Sequence, residues 1–244
     1  MTTSSLSLLV IIDFENLSDK SLFEHYWRKF IQPACDRNGV ELVVVTHSPA
    51  RLWSQLNGCV NVLMSESRSS YWSLVFGLDS ITETHDSDFY CILEVNTFVN
   101  VDSLIRLVSG FGDNNIVAGV MGETDMRVNY AIGGAIILSR ECAQSVLSNK
   151  HNVPTMSHAA YDILISQSAF VVVPRYVELM IPTWSGMTDS PSDFIFEDLA
   201  FARIESDGLV TSGDVELLTN AGLVLYGEYT DITDEQKRSP RDDK

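Results

Sequence analysis

The sequence predicts an α/β fold: a mostly parallel sheet flanked by helices, in a single domain with a C-terminal extension. Three observations carry this expectation. Apolar strand-like runs alternate with helix-period segments, the pattern of a sheet covered on both faces. With 244 residues and 45% hydrophobic content the chain can bury a full core, and one large domain is preferred over two small ones. Nothing repeats at a fixed period, which removes solenoids and propellers.

In chain order, Leu8 to Asp13 reads as the first strand. After the loop Phe14 to Leu17, a helix starts near Ser18 and carries Leu22, Phe23, Tyr26, Trp27 and Phe30 on one face, with Pro33 and Gly39 closing it. Val40 to Thr46 is a second strand and Asn61 to Met64 a short third. Ser69 to about Glu83 is helical, and Phe89 to Leu93 is the fourth strand. The next helix aligns Val101, Leu104, Ile105, Val108 and Phe111, with Asn100 as its cap and Gly110 and Gly112 at its end. Ile116 to Met121 and Ala135 to Leu138 are the fifth and sixth strands. Further on, Phe194 to Ile204 reads as a helix, and Asp214 to Asn220 with Gly222 as another, ahead of a strand Leu223 to Tyr226. Thr230 to Lys244 reads as a solvated polar tail.

Charge and composition narrow the function classes. The net charge of −17 repels phosphate backbones and acidic membranes, so no nucleic-acid partner is expected. The only basic concentration, Lys237-Arg238 with Arg241, sits beside Asp242 and Asp243 in the tail. The apolar run Leu8 to Ile12 is far too short to span a bilayer, and Met1 to Ser7 carries no positive charge ahead of a long apolar segment. No membrane span or secretory signal is therefore expected. Cys35, Cys59, Cys91 and Cys142 are scattered without a CxxC pair and read as packed, reduced thiols. A reducing, cytoplasmic setting follows as the expectation.

The common cofactor motifs are missing: no G-x-G-x-x-G after the first strand, no P-loop, no G-x-S-x-G and no H-E-x-x-H. The five histidines are dispersed, and no two have zinc-ligand spacing. What remains is a strand that ends on Glu94-Val95-Asn96 and is followed at once by an amphipathic helix. Open α/β folds place ligands at such carboxyl-end edges.

Three stretches carry a resemblance. FYCILEVNTFVNVDSLIRL (Phe89 to Leu107), YAIGGAIILSRECA (Tyr130 to Ala143) and AYDILISQSAF (Ala160 to Phe170) follow one another in the order found in the Fringe-like β-1,3-glycosyltransferases. LFEHYWRKF ahead of VELVVVTHS is similar to that family's opening helix and second strand, and coverage runs from about residue 8 to 182. The resemblance implies a GT-A-like fold that binds a nucleotide sugar, with a UDP-sugar as donor and a glycan, protein or small-molecule hydroxyl as acceptor. It also implies a divalent metal, Mn or Mg, because carboxylate-held cations neutralise a departing diphosphate.

Residue by residue, the family's acidic triplet falls on Glu94, Val95 and Asn96, so Glu94 and Asn96 are the implied metal ligands. Only Glu94 is charged; the Asn96 amide oxygen brings no charge, and metal affinity should fall. The family's later histidine ligand has no counterpart, since no histidine follows Pro182. Asp162 matches the second residue of the family's Asp-Asp and is the implied base for the acceptor proton. It reads equally as a helix-start cap before Ile163, Leu164 and Ile165. Gly133 and Gly134 would let backbone approach a sugar, or would form a tight turn. Asp13 and Thr46 end the first two strands and could meet the donor's base or ribose, or simply close their strands. Arg68 precedes the third helix and could reach the diphosphate, or be solvated. The partition expected is residues 1–182 as donor-binding domain, 183–229 as an extension packed on it, and 230–244 as the tail. Two functions stay open: a glycosyltransferase, and a non-catalytic relative that keeps the fold as a binding or scaffolding module. A third idea is a metal-independent transferase in which Arg68 or another cation stands in for the ion.

Overall fold

The computed structural model describes residues 5–47, 61–65, 69–112, 115–123, 129–152, 161–181, 183–184, 199–204 and 211–237. Strand β1 (Leu6–Ile11) is followed by α1 (Leu17–Leu22), a π-helical stretch (Phe23–Ile31) and α2 (Gln32–Asn38). Then come β2 (Glu41–Thr46), β3 (Asn61–Met64), α3 (Ser70–Thr84), β4 (Phe89–Glu94), β5 (Thr97–Val99) and α4 (Val101–Ser109). The second half contributes β6 (Ile116–Glu123), β7 (Asn129–Ser139), α5 (Arg140–Asn149), α6 (Tyr161–Ala169), β8 (Arg175–Glu178), β9 (Thr183–Trp184), β10 (Phe201–Ile204) and α7 (Ser212–Lys237).

Seven strands form the central sheet in the order β3-β2-β1-β4-β7-β6-β8. The pairs β2–β3, β1–β2, β1–β4 and β6–β8 are parallel, while β7 runs antiparallel to both β4 and β6. Alternate residues of each strand point to opposite faces. Leu8, Val10, Val44 and Cys91 pack on the side of α1, α2, α4 and α7, whereas Leu9, Val43, Val45 and Ile92 pack on the side of α3, α5 and α6. The sheet is thus the middle of three layers, a mixed α/β architecture with a mostly parallel sheet, as the alternation predicts. A second sheet, β5-β10-β9, is attached where β4 ends.

Several boundaries differ from the sequence expectation for physical reasons. The first helical segment does not stop at Pro33. Gln32 N–H donates to the Trp27 carbonyl five residues back, and this widened π turn lets the chain continue as α2, with Pro33 at its start where no N–H is needed. The segment ends at Gly39, in the left-handed region at φ 65°. Strand β7 starts at Asn129, well before Ala135, because it pairs with β6 through Glu123↔Asn129 on one flank and with β4 through Phe89↔Ser139 on the other. Phe201–Ile204 is strand, not helix, since it pairs antiparallel with β5; residues 194–198 of that expected helix lie outside the described residues. Gly222 does not end a helix and Leu223 to Tyr226 is not a strand: both lie within α7, which continues to Lys237, into the segment expected as tail.

The attachment of β5 explains how the C-terminal elements reach the main sheet. The Val99 N–H donates to the Tyr26 hydroxyl at 2.8 Å, and the Tyr226 hydroxyl donates to the Val99 carbonyl at 3.2 Å while accepting from Val101 N at 3.0 Å. Two phenols, one from the π-helical stretch and one from α7, thus satisfy the backbone at the end of β5. Leu217, Leu218, Ala221 and Tyr226 of α7 join one hydrophobic cluster with Leu8, Trp27 and Leu104.

Burial also fixes an alkaline limit. The Tyr26 phenol is pushed up by desolvation and then by neighbouring Tyr226, Tyr226 itself mainly by desolvation, and the Cys35 and Cys91 thiols likewise by burial. Groups with raised folded-state pKa values stabilise fully below their unfolded values, about 8.5 for thiols and 10 for phenols, and lose that contribution as pH rises toward the folded ones. The thermal midpoint should therefore fall progressively above about pH 8.5, and a midpoint flat to pH 11 would contradict the burial of these groups. Cys59 lies outside the described residues. Among them, no helix is long and apolar enough to cross a membrane.

Candidate functional site

The sheet order makes β1 and β4 the switch point, since connections from β1 lead to β2 on one side and those from β3 cross to β4 on the other. Open α/β sheets bind ligands at the carboxyl end of such a crevice. A pocket of about 170 Å³ lies there, lined by Ile11, Ile92, Leu93, Glu94, Ser70, Leu74 and Tyr161. Its floor is the end of β1 and β4, and its walls are the first turns of α3 and α6. It would hold one ring rather than a whole nucleotide sugar, because pockets that enclose drug-sized ligands run to roughly 300–1,000 Å³.

Glu94 is the half-buried carboxylate at this pocket. Its Oε1 accepts from the Tyr161 hydroxyl at 2.8 Å, and its Oε2 lies 3.6 Å from Nη2 of Arg203 on β10. Burial pushes the Tyr161 phenol well above its ordinary value, and the charge of Glu94 pushes it further, so Tyr161 stays a neutral donor. Gly134 completes the group. At φ 104° it occupies backbone space that side chains rarely adopt, and a Cβ there would sit 3.5 Å from Cδ of Arg203. The Arg203 stem therefore lies across Gly134. The Gly134 carbonyl accepts from the Thr97 hydroxyl at 2.7 Å, which ties β7 to the second sheet. Gly133 precedes it within β7.

Asn96 faces elsewhere. It is 9% exposed, its side-chain Nδ2 donates to the Ile204 carbonyl at 3.4 Å, and its backbone carbonyl accepts from Ile204 N at 3.3 Å. Of the two expected metal ligands, Glu94 thus faces a phenol and a guanidinium, and Asn96 turns its side-chain nitrogen and backbone carbonyl to β10. Asp162 is 8% exposed, and its Oδ1 accepts from the N–H of Ile163, a cap-like bond at the start of α6. Its neighbour Tyr161 is the residue of α6 that reaches Glu94.

Asp13 and Thr46 lie further along the same edge. Thr46 is fully buried and extends the β2–β3 ladder, with its carbonyl accepting from Ser65 N at 2.8 Å. Asp13 Oδ1 accepts from Glu15 N at 2.9 Å, and its Oδ2 lies 3.6 Å from His47 Nε2. Ligand atoms of Asp13, Glu15 and His47 all lie within 4.8 Å of one another, a mixed oxygen and nitrogen set able to hold a divalent ion. Burial raises the nearby Asp19 carboxyl, whose Oδ2 accepts from Asp13 N; the charge of Asp13 raises it too. Arg68 lies outside the described residues.

Comparison with solved structures gives this arrangement its context. The glycosyltransferase GlyE of Streptococcus pneumoniae TIGR4 superposes with a TM-score of 0.55 at 11% identity, covering 96% of this chain. The chain spans only 64% of GlyE. The fold is GT-A-like. A glycosyltransferase involved in glycosylation of the major capsid of PBCV-1 matches with a TM-score of 0.51 at 11% identity, over 87% of this chain and 99% of its own. The 4-diphosphocytidyl-2C-methyl-D-erythritol synthase of Anaerococcus prevotii DSM 20548 matches with a TM-score of 0.51 at 10% identity, over 91% and 99%. No family model and no curated protein matches the chain. These neighbours support the broad nucleotide-sugar transferase fold and do not single out the Fringe-like branch.

Sequence reasoning missed Arg203, Tyr161, Glu15 and His47 as members of this edge. Arg203 left one signal: a lone cation inside the apolar stretch Phe201-Ala202-Arg203-Ile204, the alternation of a half-exposed strand.

Proposed function

We propose that the chain is a glycosyltransferase of the Fringe-like type, taking a sugar from a nucleotide donor, with UDP-sugars first in line, and passing it to a hydroxyl acceptor. The observation that carries this reading is the pocket at the switch point, lined by Glu94 and Tyr161, with Arg203, its stem against Gly134, paired to Glu94. An apolar pocket with a few convergent polar groups is the usual form of a small-molecule site. In the transfer, the acceptor oxygen attacks the anomeric carbon, the bond from that carbon to the diphosphate oxygen breaks, and the acceptor proton passes to a carboxylate. Asp162, beside Tyr161, is the candidate for that carboxylate. Asp13 would line the donor's base and ribose end, with the fully buried Thr46 behind that edge rather than in contact with the donor, and the Asp13, Glu15 and His47 set is the candidate place for any divalent ion.

The test is a thermal-shift series with nucleoside diphosphates and their sugars, with and without manganese. A ligand at about a hundred times its Kd should add about 2.7 kcal/mol. Asp162→Asn keeps an oxygen for the Ile163 N–H but cannot accept the proton, so stability should hold while turnover falls by about 10²–10⁴. Unchanged turnover would leave Asp162 as a cap only. The second reading, a non-catalytic binding module, is favoured by the engagement of both Glu94 oxygens with Tyr161 and Arg203. It predicts stabilisation by a nucleotide sugar with no release of the nucleoside diphosphate.

A further inference from the structure

We infer that the guanidinium of Arg203, rather than an ion held by the acidic strand end, neutralises the donor diphosphate; this rests on the donor-binding reading above. The strand end holds a single carboxylate, Glu94, and that carboxylate already faces a fixed cation at 3.6 Å. An ion on Glu94 would sit against that positive guanidinium, and the second prospective ligand, Asn96, is neutral and has its side-chain nitrogen bound to the Ile204 carbonyl. The same two observations that disfavour an ion supply its substitute.

Arg203 is also held as a phosphate-binding group needs to be. Its strand is pinned by β5 on one side, through Arg203↔Thr97, and by β9 on the other, through Arg203↔Thr183. Its stem rests on Gly134, at a backbone conformation that disfavours any side chain. Its side chain is 44% exposed, so the charge stays accessible from solvent beside Glu94. At 3.6 Å the pairing with Glu94 is longer than a hydrogen bond, so Coulomb attraction rather than the forked N–H geometry holds it. That planar fork suits a phosphate's oxygens. In a chain of net charge −17, a diphosphate otherwise meets an unfavourable field, and a local cation is what lets it bind. Glu94 then acts as a counter-charge: it holds Arg203 in place while the cleft is empty, and competes with the phosphate for it.

The sign of one substitution separates this from metal binding. Binding of UDP, CDP, GDP and ADP, each beside its parent nucleoside, is measured by calorimetry in EDTA and in manganese. For a diphosphate that binds, affinity in EDTA should match that in manganese. Arg203→Gln should weaken the diphosphate by about ten- to a hundredfold, as loss of a hydrogen bond to a charged group does, and leave the nucleoside unchanged. Glu94→Gln, which keeps an acceptor for Tyr161 but removes the competing charge, should tighten the diphosphate severalfold; a metal-ligand Glu94 would make the same change weaken it. Arg203→Lys guards against misfolding and should fall between wild type and Arg203→Gln. Binding that needs manganese, a weaker Glu94→Gln, or an unaltered Arg203→Gln overturns the role of Arg203 while leaving donor binding intact. No diphosphate bound to the wild type under either condition overturns the donor reading itself, and this inference with it.

Discussion

Trp27→Ala is expected to lower the unfolding free energy by about 3–5 kcal/mol, the usual cost of removing a fully buried large aromatic. Trp27 is 0% exposed, and its indole Nε1 donates to the Val95 carbonyl at 2.7 Å. The substitution therefore opens a cavity between the π-helical stretch and the sheet, and also strands a buried carbonyl. Trp27→Phe separates the two effects, since it keeps most of the ring and loses the donor; about 1–3 kcal/mol is expected from the unpaired carbonyl. Urea denaturation with an unchanged m-value would measure both. Val95 is the residue between Glu94 and Asn96, so the loss should reach the cleft: a loosened turn lets Glu94 drift from Arg203, and donor binding should weaken in Trp27→Phe. A Trp27→Phe protein as stable as the wild type would show that the indole bond contributes nothing to the turn.

Gly222→Ala should destabilise, against the ordinary direction for a helix. In an exposed helix interior the exchange gains about 1 kcal/mol. Here a Cβ at Gly222 would lie 2.5 Å from Cδ2 and 2.8 Å from Cγ of Phe30, whose ring is 1% exposed. Overpacking of this kind costs typically about 1–3 kcal/mol. Gly213→Ala in the same helix is the control, because its Cβ would meet only Thr211 Oγ1 at an ordinary 3.6 Å. Equal effects at the two glycines would mean that α7 does not press on the π-helical stretch through Gly222.

The contrast between these glycines shows which parts of the fold were legible in the sequence. Strands β1 to β4 were, because each is an apolar run between polar turns, and the Asn100 cap was, because its side chain accepts from Ser103 N at 3.1 Å as its position suggested. Gly222 misled because its reason is a neighbour 192 positions earlier in the chain, Phe30, and not the local backbone. Leu223 to Tyr226 looked like a strand by composition, yet Leu223 and Val224 are 45% and 60% exposed while Tyr226 turns inward, the spacing of a helix face. At the candidate site, Glu94 drew attention as a strand-end carboxylate and Gly134 through the resemblance of its Gly-Gly-Ala segment. Arg203 was not legible, because its strand is defined by pairing with β5 and β9, and local pattern cannot report a partner as distant as β5. Asn96 was legible as a polar strand-end residue, but its hydrogen bond to Ile204 depends on that same pairing.

The pairing of β5 with β10 also sets a timetable. Asn96 and Ile204 are 108 residues apart, so β10 reaches β5 only by closing a long loop, as β1 does when it pairs with β4 across 83 residues. During synthesis the Glu94 edge is made long before Arg203 leaves the ribosome. A nascent chain therefore carries the Glu94 carboxylate without its cation until β10 has been made.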